Sequence, residues 1–241
     1  MAWITLNRPA RHNRFEAADI ATMSSILSDA AARREVRVVV ITAHGPSFSS
    51  GFDLTALAGP DAAGLTSRFA EMCDHLEALE VPTICGLNGD VYGGATDLAL
   101  AADFRIGAEG CRLQMSPARL GIEFYYSGLR RFVERLGLVA AKRLFLTGEQ
   151  IDTATMQRIG FLDEICAGED LEARLGALAG SLAERSPRSL RGLKQSLEAI
   201  HRGKAEPAFV NERFIESLSC ADAREGLAAR SEGRPPNFAD A

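Results

Sequence analysis

The sequence predicts an α/β protein whose last part is helical, and three observations carry that prediction. Short β-branched runs alternate with helical periods over the first two-thirds of the chain. From Ser186-Pro187 onward only the helical period remains. The balance of 46% hydrophobic to 24% charged residues over 241 residues suits a chain that buries a sizeable core without disulfide or metal staples.

Taken in order, Trp3 to Leu6 reads as a short strand stopped by Asn7-Arg8-Pro9. Ile20, Met23, Ile26 and Leu27 recur at helical spacing and predict a helix over 16–32. Val36 and Val38 to Ile41 form a run too short for a helix and too apolar for an exposed strand, so it is read as a buried strand. Residues 43–51, rich in Gly, Ser and Pro, read as a loop. Leu65, Phe69, Met72, Cys73, Leu76 and Leu79 restore the helical period. A strand over 83–87, a glycine-rich turn and a helix over 94–101 follow, then short strands at 104–106 and 111–115. Helices are predicted over 127–146, 153–159, 169–184, 187–202 and 206–230, with one strand at 161–165. The tail 233–238 is too Pro-rich for a helix and is expected to lie along a surface.

Composition narrows the function classes. The net charge of −5 gives no basic field for nucleic acid or anionic lipid, so an anionic ligand must be met by local arginines. The five cysteines are scattered, with no CxxC and four histidines in all, which argues against a disulfide framework or a metal site. No apolar run approaches the ~20 residues of a membrane span, and the first residues lack signal-peptide character. A cytoplasmic protein is expected.

Two loop-to-helix transitions could carry chemistry. One is Phe48-Ser-Ser-Gly51-Phe52-Asp53-Leu54 and the other runs from Asn88-Gly89 through Gly93-Gly94 to Asp97. Glycine lets backbone approach a ligand closely, and a helix start exposes free N–H groups. Two such groups aimed at one point would stabilise charge developing on a carbonyl oxygen. Taken alone, each could equally be a tight turn.

The order of these segments resembles the enoyl-CoA hydratase/isomerase (crotonase) superfamily. The likeness runs through Ile4 to Pro9, Val38 to Thr42, the two transitions above, Arg119-Leu-Gly121, Ala140 to Gly148, Gly160 to Glu164, and Asp222 to Gly226 with Pro236-Asn-Phe238. It implies a crotonase-like ββα spiral core over 1–185 that holds the acyl-CoA site. It further implies a C-terminal helical region over 186–241 for oligomerisation and active-site cover, in a homotrimer or a dimer of trimers. The substrate would be an acyl-CoA thioester, with coenzyme A part of the substrate and no tightly bound cofactor, metal, nucleic acid or membrane partner. By motif position the resemblance makes the N–H groups of Phe52 and Gly94 the oxyanion donors. It places Arg8, Arg11 and His12 near the CoA phosphates and the Ser49-Ser50 backbone near the adenine, with Asp53 a further candidate for CoA binding.

Hydratases of the family use two carboxylates. Asp97 matches the first position, three residues after Gly94 and so on the same helix face. An acid in a first helical turn also favours the dipole without any catalysis; the resemblance favours the catalytic role. The second position departs from the pattern, because Pro117-Ala118 stands where hydratases carry Pro-Glu. Glu123, Tyr125 and Tyr126 are the nearest substitutes. A carboxylate missing from an acid–base pair typically costs about 10²–10⁴ in rate, so one-base reactions through an enolate compete with hydration, as do thioester hydrolysis and decarboxylation. A homologue that binds acyl-CoA with reduced or no catalysis is the rival reading. A nicotinamide enzyme is disfavoured, since Gly86, Gly89, Gly93 and Gly94 do not fit G-x-G-x-x-G. The resemblance also implies about ten more residues ahead of the first strand, so either the start lies upstream or an edge strand is lacking.

Overall fold

The computed structural model describes residues 1–238, apart from the side chains of Leu54 and Leu57; 239–241 of the expected C-terminal region lie outside the described residues. Two sheets form the core. The larger is five-stranded and parallel, in the order β1 (Ala2–Leu6), β2 (Val39–Ala43), β4 (Thr83–Leu87), β6 (Phe104–Ala108), β9 (Glu164–Cys166). The smaller holds β3 (Ser47–Ser49), β5 (Asp90–Tyr92), β7 (Arg112–Gln114) and β8 (Gln150–Asp152), with only the last pair antiparallel. From β2 to β7 each winding of the chain gives one strand to each sheet and then a helix, which is the expected ββα spiral.

Burial explains the strand chemistry. Val38 to Ile41 are fully buried, covered on both faces as a parallel sheet requires. The corner between β4 and β5 admits only glycine at 89, because a Cβ there would stand 2.3 Å from the Pro46 carbonyl oxygen. That contact draws the β2–β3 corner against the β4–β5 corner.

The helices pack by their periodic faces. Helix α1 (Ala17–Ala32) opens with a capping box between Glu16 and Asp19 and buries Ile20, Met23, Leu27 and Ala30. After the short α2 (Leu54–Leu57), α3 (Ala62–Ala78) buries Leu65, Phe69, Met72, Cys73 and Leu76. Helix α4 (Gly94–Ala101) is buried all round from Ala95 onward, so its two polar side chains, Thr96 and Asp97, must find partners inside.

Three corrections concern element boundaries. The loop expected over 43–51 contains β3, the glycine-rich turn contains β5, and β8 has no counterpart in the expected elements. Each of these strands is three residues long, too short to show a period. Helix α5 (Tyr126–Thr147) is interrupted at Gly137, whose φ of 80° and ψ of 158° are not helical. After α6 (Thr153–Arg158), α7 (Leu171–Ala183) and α8 (Pro187–His201), the helix expected over 206–230 divides into α9 (Pro207–Ser217) and α10 (Ala221–Glu232). The division falls where the Cys220 thiol accepts the Ala223 N–H and caps a new helix. At the other seam, the Ser186 hydroxyl caps α8 and donates to Asp222 of α10.

The tail does run along the surface: Glu225 accepts from the Asn237 N–H, and Arg37 donates to the Phe238 carbonyl at 2.7 Å. No helix among the described residues is long and apolar enough to cross a membrane.

Cys73, Cys85 and Cys111 are buried, whereas Cys166 and Cys220 are partly exposed. Burial pushes the Cys85 thiol up to about 12 and that of Cys111 to about 11, so neither forms thiolate at neutral pH. A thiol reagent at pH 8 should therefore label Cys166 and Cys220 and spare the other three until the chain unfolds. Equal labelling rates for all five, read by peptide mass spectrometry, would contradict this packing.

Candidate active site

The site is built where two backbone turns touch. A parallel bridge joins Phe15 to Phe52: the Phe15 N–H donates to the Gly51 carbonyl at 2.8 Å, and the Asp53 N–H donates to the Phe15 carbonyl at 3.1 Å. In extended backbone, alternate residues present their polar groups to opposite sides, so the Phe52 N–H faces away from Phe15. Gly94 is the first residue of α4, and its N–H has no acceptor within the helix. Neither N–H has a hydrogen-bond partner among the described residues.

Gly51 brings the two together. Its φ of +83° lies in the left-handed region, and a Cβ at this position would stand 2.5 Å from the Tyr92 carbonyl oxygen and 3.1 Å from the Gly94 nitrogen. The absent side chain is therefore what lets the Phe52 segment lie directly on the 92–95 turn. Phe52 and Gly94 line one cavity of about 410 Å³, together with Ser50, Pro117, Glu123 and Tyr125.

Asp97 lies deeper than its place on the helix suggests. Its carboxylate is fully buried and does not open onto the cavity. One oxygen accepts from Arg131 Nη1 and the other from the Tyr125 hydroxyl at 2.6 Å. Burial pushes the Asp97 carboxyl up, against the opposing pull of Arg131 and Tyr125. Burial also pushes the Tyr125 phenol well above its ordinary value, and its acidic neighbour adds to this, so the ring keeps its proton.

Arg131, itself fully buried, also donates to Asp74 at 2.6 Å and to Glu77 at 3.1 Å. Burial works against its charge, but Asp97 and Glu77 more than reverse this and hold it a cation. Glu77 in turn lies within ion-pair reach of Arg130, Arg135 and Arg202. Burial raises the Glu77 carboxyl, yet Arg131 and Arg130 pull it below the usual carboxylate range. Sequence reasoning missed Arg131: beside Arg130 and one turn before Arg135, nothing in the sequence marks it as the arginine that points inward.

Glu123 stands exposed on the cavity wall, and its carboxylate has no hydrogen bond or ion pair among the described residues. The second-carboxylate position offers buried Pro117 and exposed Ala118.

The residues expected near CoA separate. Arg8 is engaged in a two-pronged bond to Asp19, both contacts at 2.8 Å, and does not stand free. Arg11 is exposed and unpaired among the described residues. His12 Nδ1 bonds to the Ser47 hydroxyl at 2.9 Å. The Ser49 side chain is buried against the Asn13 carbonyl at 2.8 Å, while Ser50 lines the cavity. Asp53 caps α2 by accepting from the Thr55 N–H and hydroxyl, which hold its carboxyl below its usual range. Its role is local.

The family model for enoyl-CoA hydratase/isomerase matches residues 1–241. The 2,3-dehydroadipyl-CoA hydratase of Escherichia coli (strain K12) is 30% identical over 239 residues, covering 98% of this chain and 93% of that protein. The carnitinyl-CoA dehydratase of Citrobacter koseri is 31% identical over 246 residues, with 97% and 92% covered. Among solved structures, the enoyl-CoA hydratase of Bacillus anthracis superposes with a TM-score of 0.90 at 27% identity, over 98% of this chain and 94% of that one. With the spiral of paired strands and the two-turn cavity already in place, these matches settle the class: the chain belongs to the enoyl-CoA hydratase/isomerase family.

Replacing Gly51 with Ala forces a Cβ into the 92–95 backbone and strains a positive φ. The variant should lose about 1–3 kcal/mol of stability, measured by denaturant unfolding. An unchanged midpoint would show that the two turns are not in contact.

Proposed function

We propose that this chain processes an acyl-CoA thioester by stabilising its enolate. The observation that carries the reading is the pair of unengaged N–H groups, of Phe52 and Gly94, on one cavity wall. When a base removes a proton beside the thioester carbonyl, negative charge moves to the carbonyl oxygen. Two preorganised donors stabilise that charge far more than they stabilise the neutral carbonyl. The α4 dipole, positive at Gly94, adds to them.

The proton is moved by Glu123, the one carboxylate on the cavity wall among the described residues. Tyr125 keeps its proton and donates a hydrogen bond to Asp97, so it offers the cavity a neutral phenol oxygen fixed in place. Asp97 is thus a positioning residue, acting through Tyr125. With a single mobile carboxylate, the reaction that fits is a one-base shift of a double bond: one proton leaves one carbon of the enolate system and is returned at another. Two-carboxylate hydration lacks its second group, since Pro117-Ala118 stands there.

Coenzyme A enters as part of the substrate. Arg11, unpaired and next to Asp53, is the candidate partner of its phosphates. Helices α8 and α9 expose Leu193, Leu197, Phe209, Phe214, Ile215 and Leu218, each more than half exposed. Apolar surface on that scale suits assembly as a homotrimer or a dimer of trimers.

Gly94→Pro deletes one donor at a first-turn position, and because a Cβ there would stand 3.1 Å from Phe69, its denaturant midpoint is measured alongside. It should lower kcat on an enoyl-CoA panel by about 10²–10³. Glu123→Gln should lower it by about 10²–10⁴. Turnover that survives both changes excludes the mechanism; tight acyl-CoA binding with no turnover by the wild-type chain makes it a binding homologue instead.

A further inference from the structure

The charge inventory of the cavity speaks to which acyl group enters. Among the described residues, Glu123 is the one charged side chain on the wall, and no arginine, lysine or histidine opens onto it. The remaining surface is largely aromatic and aliphatic. Phe52 meets Phe69 edge to face at 5.8 Å, Phe124 stacks on Tyr125 at 4.2 Å, and Leu120 closes one side. The buried cation behind this wall, Arg131, offers nothing to the cavity: Asp97, Glu77 and Asp74 already surround it.

An acyl chain ending in a carboxylate would have to shed water from its charge among these rings, with no cation to receive it. It would also stand in one small cavity with the Glu123 anion, which repels it. An uncharged chain meets neither penalty and gains by covering aromatic surface.

We infer that the site selects CoA thioesters of uncharged, apolar acyl groups and rejects acyl groups with a terminal carboxylate, with Glu123 and the lack of a facing cation setting the selectivity. This rests on the acyl-CoA reading above but goes further, since that reading holds for either kind of acyl group.

The test uses matched pairs. Turnover is compared for trans-2-octenoyl-CoA and the same thioester carrying a terminal carboxylate, and binding is compared by calorimetry for the two saturated analogues. The uncharged member should lead by at least about 100-fold in kcat/KM and by about tenfold or more in affinity. A second variant checks the cause. Leu120 lines the cavity and is 50% exposed, so Leu120→Arg places a cation on the wall without emptying the core. It should shift the ratio toward the carboxylated thioester by about tenfold or more. Equal or better binding and turnover of the carboxylated thioester by the wild-type chain overturns the inference while leaving the acyl-CoA reading intact. A ratio unmoved in Leu120→Arg overturns the electrostatic cause. If neither enoyl thioester turns over, the binding ratio still decides selectivity; if neither analogue binds, the acyl-CoA reading falls and takes the inference with it.

Discussion

The site depends on one van der Waals approach, that of the Gly51 α-carbon to the backbone of residues 92–95. Two segments distant in sequence each expose an N–H group, and neither would matter without the other. The Phe52 group is freed by the bridge to Phe15, and the Gly94 group by its place at a helix start. Only a residue without a side chain lets both lie on the same cavity. The larger scaffold serves that approach: β2–β3 and β4–β5 are successive windings, and Gly89 locks their corners together.

Beneath the cavity the protein maintains a second, costlier arrangement. Asp97 and Arg131 are both without solvent contact, and breaking such a pair by removing one partner typically costs about 3–5 kcal/mol. The pair holds Tyr125 at the wall as a neutral phenol rather than presenting a carboxylate. Chemistry at the surface of the cavity and electrostatics behind it are thereby separated. The carboxylate on the wall, Glu123, is exposed, whereas Asp97 and Arg131 behind it are fully buried.

Much of this was legible in the sequence, for physical reasons. Val38 to Ile41 are buried on both faces, so their run is uninterrupted; α1 and α3 are half-buried, so their period shows. The two amide-bearing turns were legible because glycine and a helix start leave marks in sequence. What stayed hidden has equally plain causes. Strands β3, β5 and β8 are three residues each, shorter than any detectable repeat. The helix expected over 206–230 shows no break in composition at Cys220, because a thiol is an unusual cap. Asp97 was placed correctly on the helix face but not in depth: spacing fixes direction around an axis, and only the tertiary partners Arg131 and Tyr125 decide whether a carboxylate turns inward. Arg8 illustrates the same limit, since its engagement by Asp19 depends on where α1 comes to rest.

Glu77 gives these helices an unusual mechanical unity. It sits on α3, and the arginines around it come from α5 and α8, while Arg131 carries the linkage on to α4. Tilting α8 away would take Arg202 from Glu77, and moving α4 would leave the buried Arg131 without Asp97. The hub therefore behaves as a keystone: the outward-facing apolar helix and the floor under Tyr125 are tied to one carboxylate.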